Sequence, residues 1–115
     1  MPETLVRHRT QFSFRVKADV WKAVAPILAE ELTCDDPEGS LVPDDIMMFF
    51  KEIETGEACL YDLYFRVEAL TYPSRLADIK DRTLRANGRI QKLYPDKKIG
   101  LWIKLGDGYW AATET

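Results

Sequence analysis

A strand-helix-strand pattern occurs twice in this chain, and few folds accommodate that. The first copy opens with Glu3 to Arg9 (ETLVRHR), read as a strand, and continues into KADVWKAVAPILAEEL. There Val20, Val24, Ile27 or Leu28, and Leu32 recur at helical spacing. Asp19 is the expected N-cap. Pro26 is expected to kink the helix, because an internal proline removes one backbone hydrogen bond. The polar stretch TCDDPEGSLVPDD then leads into IMMFFKEIE, an apolar run too short for a helix and read as a strand buried on both faces.

The second copy repeats the plan. CLYDLYFRVEAL alternates, with Tyr61, Leu63, Phe65 and Val67 on one face and Asp62, Tyr64, Arg66 and Glu68 on the other. YPSRLADIKDRTLRANGRIQKLYP begins with a proline suited to a first helical turn. It sets Leu76, Ile79, Thr83, Ile90 and Leu93 on one side. Asp78 with Arg82 and Asp81 with Arg85 are expected as helix-supporting pairs. KIGLWIKL is the last long strand, and after the GDG turn the segment YWAAT reads as a short terminal strand that pairs with a neighbouring subunit's edge.

Consecutive β-α-β units take right-handed crossovers, so each half is expected to be a parallel strand pair with its helix on one face. Two such units side by side predict an α+β domain with a four-stranded sheet and both helices on the same face. One domain is expected over 1–115, with pseudo-repeat halves 1–56 and 57–115. The other sheet face would stay bare, and its aromatic content predicts a subunit contact.

Composition closes several function classes. A net charge of −3, with Lys and Arg scattered through both halves, offers no basic stripe for phosphates, so nucleic acid is not an expected partner. No apolar run reaches bilayer-spanning length and no signal-peptide core follows Met1, so no membrane association and a cytoplasmic location are expected. Cys34 and Cys59 have no metal-type spacing and no histidine cluster beside them, so they are read as reduced thiols. No cofactor is called for. At this length only about two-thirds of the unfolded surface is buried, so association would help.

The chain begins MPETLVR. If Met1 is removed, Pro2 carries a free secondary amine. Together with the two β-α-β units, the bare second sheet face and the Gly-aromatic tail, this resembles the tautomerase superfamily. That group includes 4-oxalocrotonate tautomerase, 5-carboxymethyl-2-hydroxymuconate isomerase and macrophage migration inhibitory factor. The resemblance covers nearly the whole chain. It implies a homotrimer whose sheets pack into a central barrel, with Pro2 near subunit boundaries as general base on a small carboxylate-bearing enol or keto acid.

An α-amine titrates at about 7.7–8 and is mostly protonated at neutral pH. Burial or a nearby cation lowers that value towards the range where a general base works best. The available cations are Arg7, Arg9, Arg15, Lys51, Arg66, Arg75 and Lys104. Arg15 or Lys51 is the expected carboxylate binder, and Phe49 or Trp102 the expected pocket wall. The sequence also departs from the resembled family. Its second strand offers Met47 to Lys51 in place of an arginine, and the loop after the first helix is acidic, with Asp35, Asp36 and Glu38.

Plainer readings stand beside these. His8 alternates with Val6 and suits a core position. Phe49 and Trp102 suit packing, Lys51 and Lys104 suit solvated strand ends, and DDPEGS suits a surface loop. Two other functions remain open: a non-catalytic ligand-binding or structural member on the same scaffold, and a ferredoxin-like dimeric binding module.

Overall fold

The computed structural model describes residues 2–9 and 11–108. Its first strand, β1 (Glu3–His8), alternates as the sequence requires: Thr4, Val6 and His8 are buried and face the helices. The other elements are α1 (Phe14–Leu32), a single 3-10 turn (Pro43–Asp45), β2 (Met47–Glu52), β3 (Leu63–Leu70), α2 (Pro73–Leu76), α3 (Ile79–Leu93) and β4 (Ile99–Gly106).

The strands lie in the order β2-β1-β3-β4. β1 and β2 pair in parallel, as do β3 and β4, and the two halves join through the antiparallel pair β1 and β3. The expected α+β architecture of two β-α-β units is therefore present. The strands of each unit are direct neighbours, whereas a ferredoxin-like sheet splits each β-α-β unit with an intervening strand. That alternative order is not formed.

A hydrophobic cluster fills the space between helices and sheet. Leu63, Phe65 and Val67 meet Val20, Val24, Leu28 and Leu32 of α1 and Ala86 and Ile90 of α3. Each large aliphatic side chain so buried stabilises the fold by about 1.5–3 kcal/mol. Trp21 donates from its indole nitrogen to the Ile46 carbonyl at 2.9 Å, which ties α1 to the entry of β2. Among the described residues, no helix is long and apolar enough to cross a membrane.

Several expectations are corrected. The first helix starts earlier, and Ser13, not Asp19, is its N-cap: the Ser13 hydroxyl accepts the Val16 N–H at 3.2 Å. Asp19 lies a turn and a half inside. Ser13→Ala is expected to cost about 1 kcal/mol and Asp19→Ala about 0.5 kcal/mol or less, read from urea midpoints; equal costs would refute the assignment. Pro26 lies inside α1, as the periodicity places it. β2 is an edge strand rather than one buried on both faces: Met48 and Phe50 pack on the core, but Phe49 is 51% exposed on the helix-free face.

The second helical region breaks in two around Ala77 and Asp78. The break leaves Leu76 and Leu93 exposed and makes Ala86 and Ile90 the buried stripe of α3. Asp78 pairs with Arg82 as expected, but Arg85 binds Glu31 on α1. Tyr61 precedes β3, and its ring stacks near that of Tyr64 with centroids 5.8 Å apart. The terminal strand expected over 109–113 lies outside the described residues.

Candidate functional site

Strand direction decides what gathers around Pro2. β2 starts beside the start of β1 because the two are parallel, and β3 ends there because it is antiparallel. The C-terminal end of α1 returns to the same edge. Pro2 is itself buried, and its carbonyl accepts the Met47 N–H at 3.0 Å.

A cleft of about 210 Å3 opens at this edge. Pro2 and Leu70 come from strand ends, Glu38, Ser40 and Leu41 from the loop after α1, Asp45 from the 3-10 turn, Tyr72 from the start of α2 and Arg75 from within it. A wider hollow of about 730 Å3 shares Glu38, Leu70 and Tyr72 with it and extends to Thr71 and to Gly106 and Asp107 at the end of β4.

Arg75 holds the walls of the cleft together. It is 2% exposed. Its Nε donates to the Leu32 carbonyl at 2.7 Å, Nη1 to the Leu70 carbonyl at 2.8 Å and Nη2 to the Gly39 carbonyl at 3.3 Å. The guanidinium also lies 5.0 Å from the centre of the Tyr72 ring, a cation-π distance. Burial lowers its pKa from the ordinary arginine value.

The last carbonyls of any helix lack intrahelical partners, and a positive charge there is favourable. α1 carries no basic residue in its own last turn. Two arginines from the second half supply the need: Arg75 binds Leu32, and Arg82 donates from Nη1 to the carbonyls of Glu31 at 2.7 Å and Thr33 at 2.6 Å.

The loop carrying Glu38 is pinned from both sides. Asp36 accepts the Ser74 hydroxyl at 2.7 Å and the Ser74 N–H at 3.0 Å, and these bonds hold its carboxyl below the usual value. The stabilisation is complete above the unfolded carboxyl value of about 3.9. It is lost as the pH falls through the lowered folded value.

Within the loop, the Gly39 N–H donates to the Asp36 carbonyl at 2.9 Å and the Cys34 N–H to the Gly39 carbonyl at 3.0 Å. A Cβ at residue 39 would lie 2.3 Å from the Cys34 sulfur and 3.0 Å from the Asp36 carbonyl oxygen. Gly39→Ala is therefore expected to destabilise the fold by about 2–3 kcal/mol, with part of the loss recovered when Cys34→Ala removes the nearer atom. Urea midpoints of the two single variants and the double variant check this, and no coupling between them would refute it.

The residues singled out from sequence are dispersed within one chain. Arg15 is exposed in the first turn of α1, 17 residues before Leu32, or about 25 Å along the helix at 1.5 Å per residue. Lys51 pairs with Arg7, about 16 Å along the strand from Pro2 at roughly 3.3 Å per residue. Phe49 stands opposite Leu5 and Trp102 opposite Arg66, both on the helix-free face, where Trp102 is 54% exposed. Glu38, Asp45 and Tyr72 were not singled out from sequence as site residues, and Arg75 was one cation among seven. Among the described residues, no group of three His, Cys, Asp or Glu side chains could hold a metal ion.

No protein-family model and no curated protein matches the chain. Solved structures do match in fold. The Leishmania major protein MIF2 is 21% identical, with 98% of this chain and 96% of that chain covered at a TM-score of 0.63. Malonate semialdehyde decarboxylase is 7% identical, covering 96% and 90% at 0.66. N1, a member of the cis-3-chloroacrylic acid dehalogenase family, is 9% identical, covering 92% and 76% at 0.64. This is the tautomerase-superfamily fold.

Proposed function

We propose that this chain, on a tautomerase-superfamily fold, is a tautomerase or isomerase of small enol or keto acids, with Pro2 as general base once Met1 has been removed. The observation that carries the reading is the buried Pro2 at a cleft that also holds a buried arginine and a tyrosine. Two of the structural neighbours are named for activity on small acids, malonate semialdehyde and cis-3-chloroacrylic acid.

In ketonisation the base would take the proton of the enol hydroxyl and deliver it to the far carbon of the C=C bond, as the oxygen-bearing carbon becomes a carbonyl. Arg75 supplies positive charge where the substrate's carboxylate and the developing enolate sit. The chain acts as one cytoplasmic domain that assembles into a homotrimer through the helix-free sheet face. Phe49 and Trp102 lie on that face. In the trimer they wall a neighbour's pocket, and Arg15 or Lys51 reaches the one carboxylate held at Arg75 only across a subunit boundary.

A second reading keeps the scaffold without catalysis. It is favoured by one observation, that every nitrogen of Arg75 already donates to a backbone carbonyl. Ketonisation of phenylenolpyruvate decides between them. Protein shown by mass to lack Met1 turns it over under the first reading and leaves it unchanged under the second.

A further inference from the structure

We propose that Glu38 sets which acids the cleft accepts, so that the substrate is a keto or enol acid with one carboxylate and an uncharged remainder. This rests on the cleft being the substrate site proposed above.

The charge lining the site is the first ground. Arg75 is the one cation among the described residues lining either hollow, whereas Glu38, Asp45 and Asp107 are all acidic. Arginine has five N–H groups, and three of those of Arg75 go to backbone carbonyls. Its charge and the remaining N–H groups serve a single carboxylate. A second carboxylate on the substrate would extend past Glu38 into a hollow whose charged lining is acidic.

The state of Glu38 is the second ground. It lines both hollows, so a molecule reaching from Pro2 into the wider one passes it. Among the described residues, its carboxylate has no hydrogen-bond or ion-pair partner. One oxygen of Asp45, by contrast, already accepts the Val42 N–H at 2.9 Å. A charge without a local partner acts on whatever enters beside it.

The backbone is consistent with that use. Asp36 to Gly39 close a turn with Pro37 second and Glu38 third, and Glu38 has φ of 64°. Proline second and a positive φ third mark a type II turn, whose third position favours glycine. Among the described residues, Glu38 is the one non-glycine with positive φ. A carboxylate sits where local sterics favour no side chain at all.

The test compares phenylenolpyruvate with its para-carboxy derivative, a shape-matched dicarboxylate, on Met1-free protein. Wild type is expected to prefer the monocarboxylate at least tenfold in kcat/KM, and Glu38→Gln to narrow that ratio about fivefold or more, while Glu38→Asp retains it. Equal use of the two acids by wild type, or an unchanged ratio in Glu38→Gln, overturns the proposal. If neither acid is turned over, the proposed activity fails by itself. Dissociation constants of phenylpyruvate and 4-carboxyphenylpyruvate, measured by calorimetry on the same proteins, then decide the charge preference by the same ratios. Absence of binding by both overturns it.

Discussion

A peptide bond ahead of Pro2 is expected to lower turnover of phenylenolpyruvate by about 10²–10⁴, the range that a positioned general base contributes. The comparison is between protein whose mass shows Met1 removed and protein carrying an N-terminal tag. In the tagged form the Pro2 nitrogen is a tertiary amide and has no basic lone pair. Pro2→Ala, after the same processing, keeps an amine but loses the ring that fixes its direction, so its rate falls between the two. The pH profile gives an independent reading. A base must be neutral, so kcat/KM rises with pH and levels off above the amine's pKa. A cation such as Arg75 in the same cleft would favour the neutral amine, and a carboxylate such as Glu38 the ammonium. Glu38→Gln should therefore move the rising limb to lower pH. Equal turnover by the tagged and processed forms would sink the role of Pro2.

The sequence made the scaffold legible because the scaffold is built from local periodicity. Leu63, Phe65 and Val67 alternate, and Val20, Val24, Leu28 and Leu32 follow a helix; both patterns end up in the shared core. Two β-α-β units with right-handed crossovers then left few ways to arrange four strands. The misreadings arise where tertiary contacts outweigh local preference. Asp19 is a good capping residue, but Ser13 is placed where the chain leaves β1 and turns into the helix. The second helix breaks near Asp78, where Arg82 of the following turn reaches across to the Glu31 and Thr33 carbonyls at the end of α1.

The cleft was less legible for a related reason. Its lining comes from three stretches far apart in sequence: Pro2, residues 38–45 and residues 70–75. No spacing rule links them. A local signal did exist for Glu38: Asp-Pro-Glu-Gly reads as a turn with glutamate at the glycine-favouring position. Arg75 could not be told from the other cations, because its partners are backbone carbonyls, which leave no mark in side-chain identity.

Arg75→Ala is expected to destabilise the fold by about 3–5 kcal/mol. Three segments converge on that one guanidinium: the end of α1 at Leu32, the loop at Gly39 and the end of β3 at Leu70. Truncation takes the guanidinium from the Leu32 and Leu70 carbonyls and leaves Gly39 with only the Cys34 N–H; each unsatisfied buried group costs about 1–3 kcal/mol, reduced wherever water can enter from the cleft. Since domains of this kind are stable by only about 5–15 kcal/mol, the variant should lose a large part of its stability. Arg75→Lys should recover little, because one ammonium cannot reproduce a planar fork aimed at three separate carbonyls. Leu76→Ala, at an exposed position one residue on, is the control and should shift the urea midpoint only slightly. The contrast tests the assignment of Arg75 as the residue that holds the cleft walls. If Arg75→Ala and Leu76→Ala shift the midpoint alike, the walls are held by packing and by the Asp36–Ser74 contact, and the arginine is released for a direct role in binding substrate.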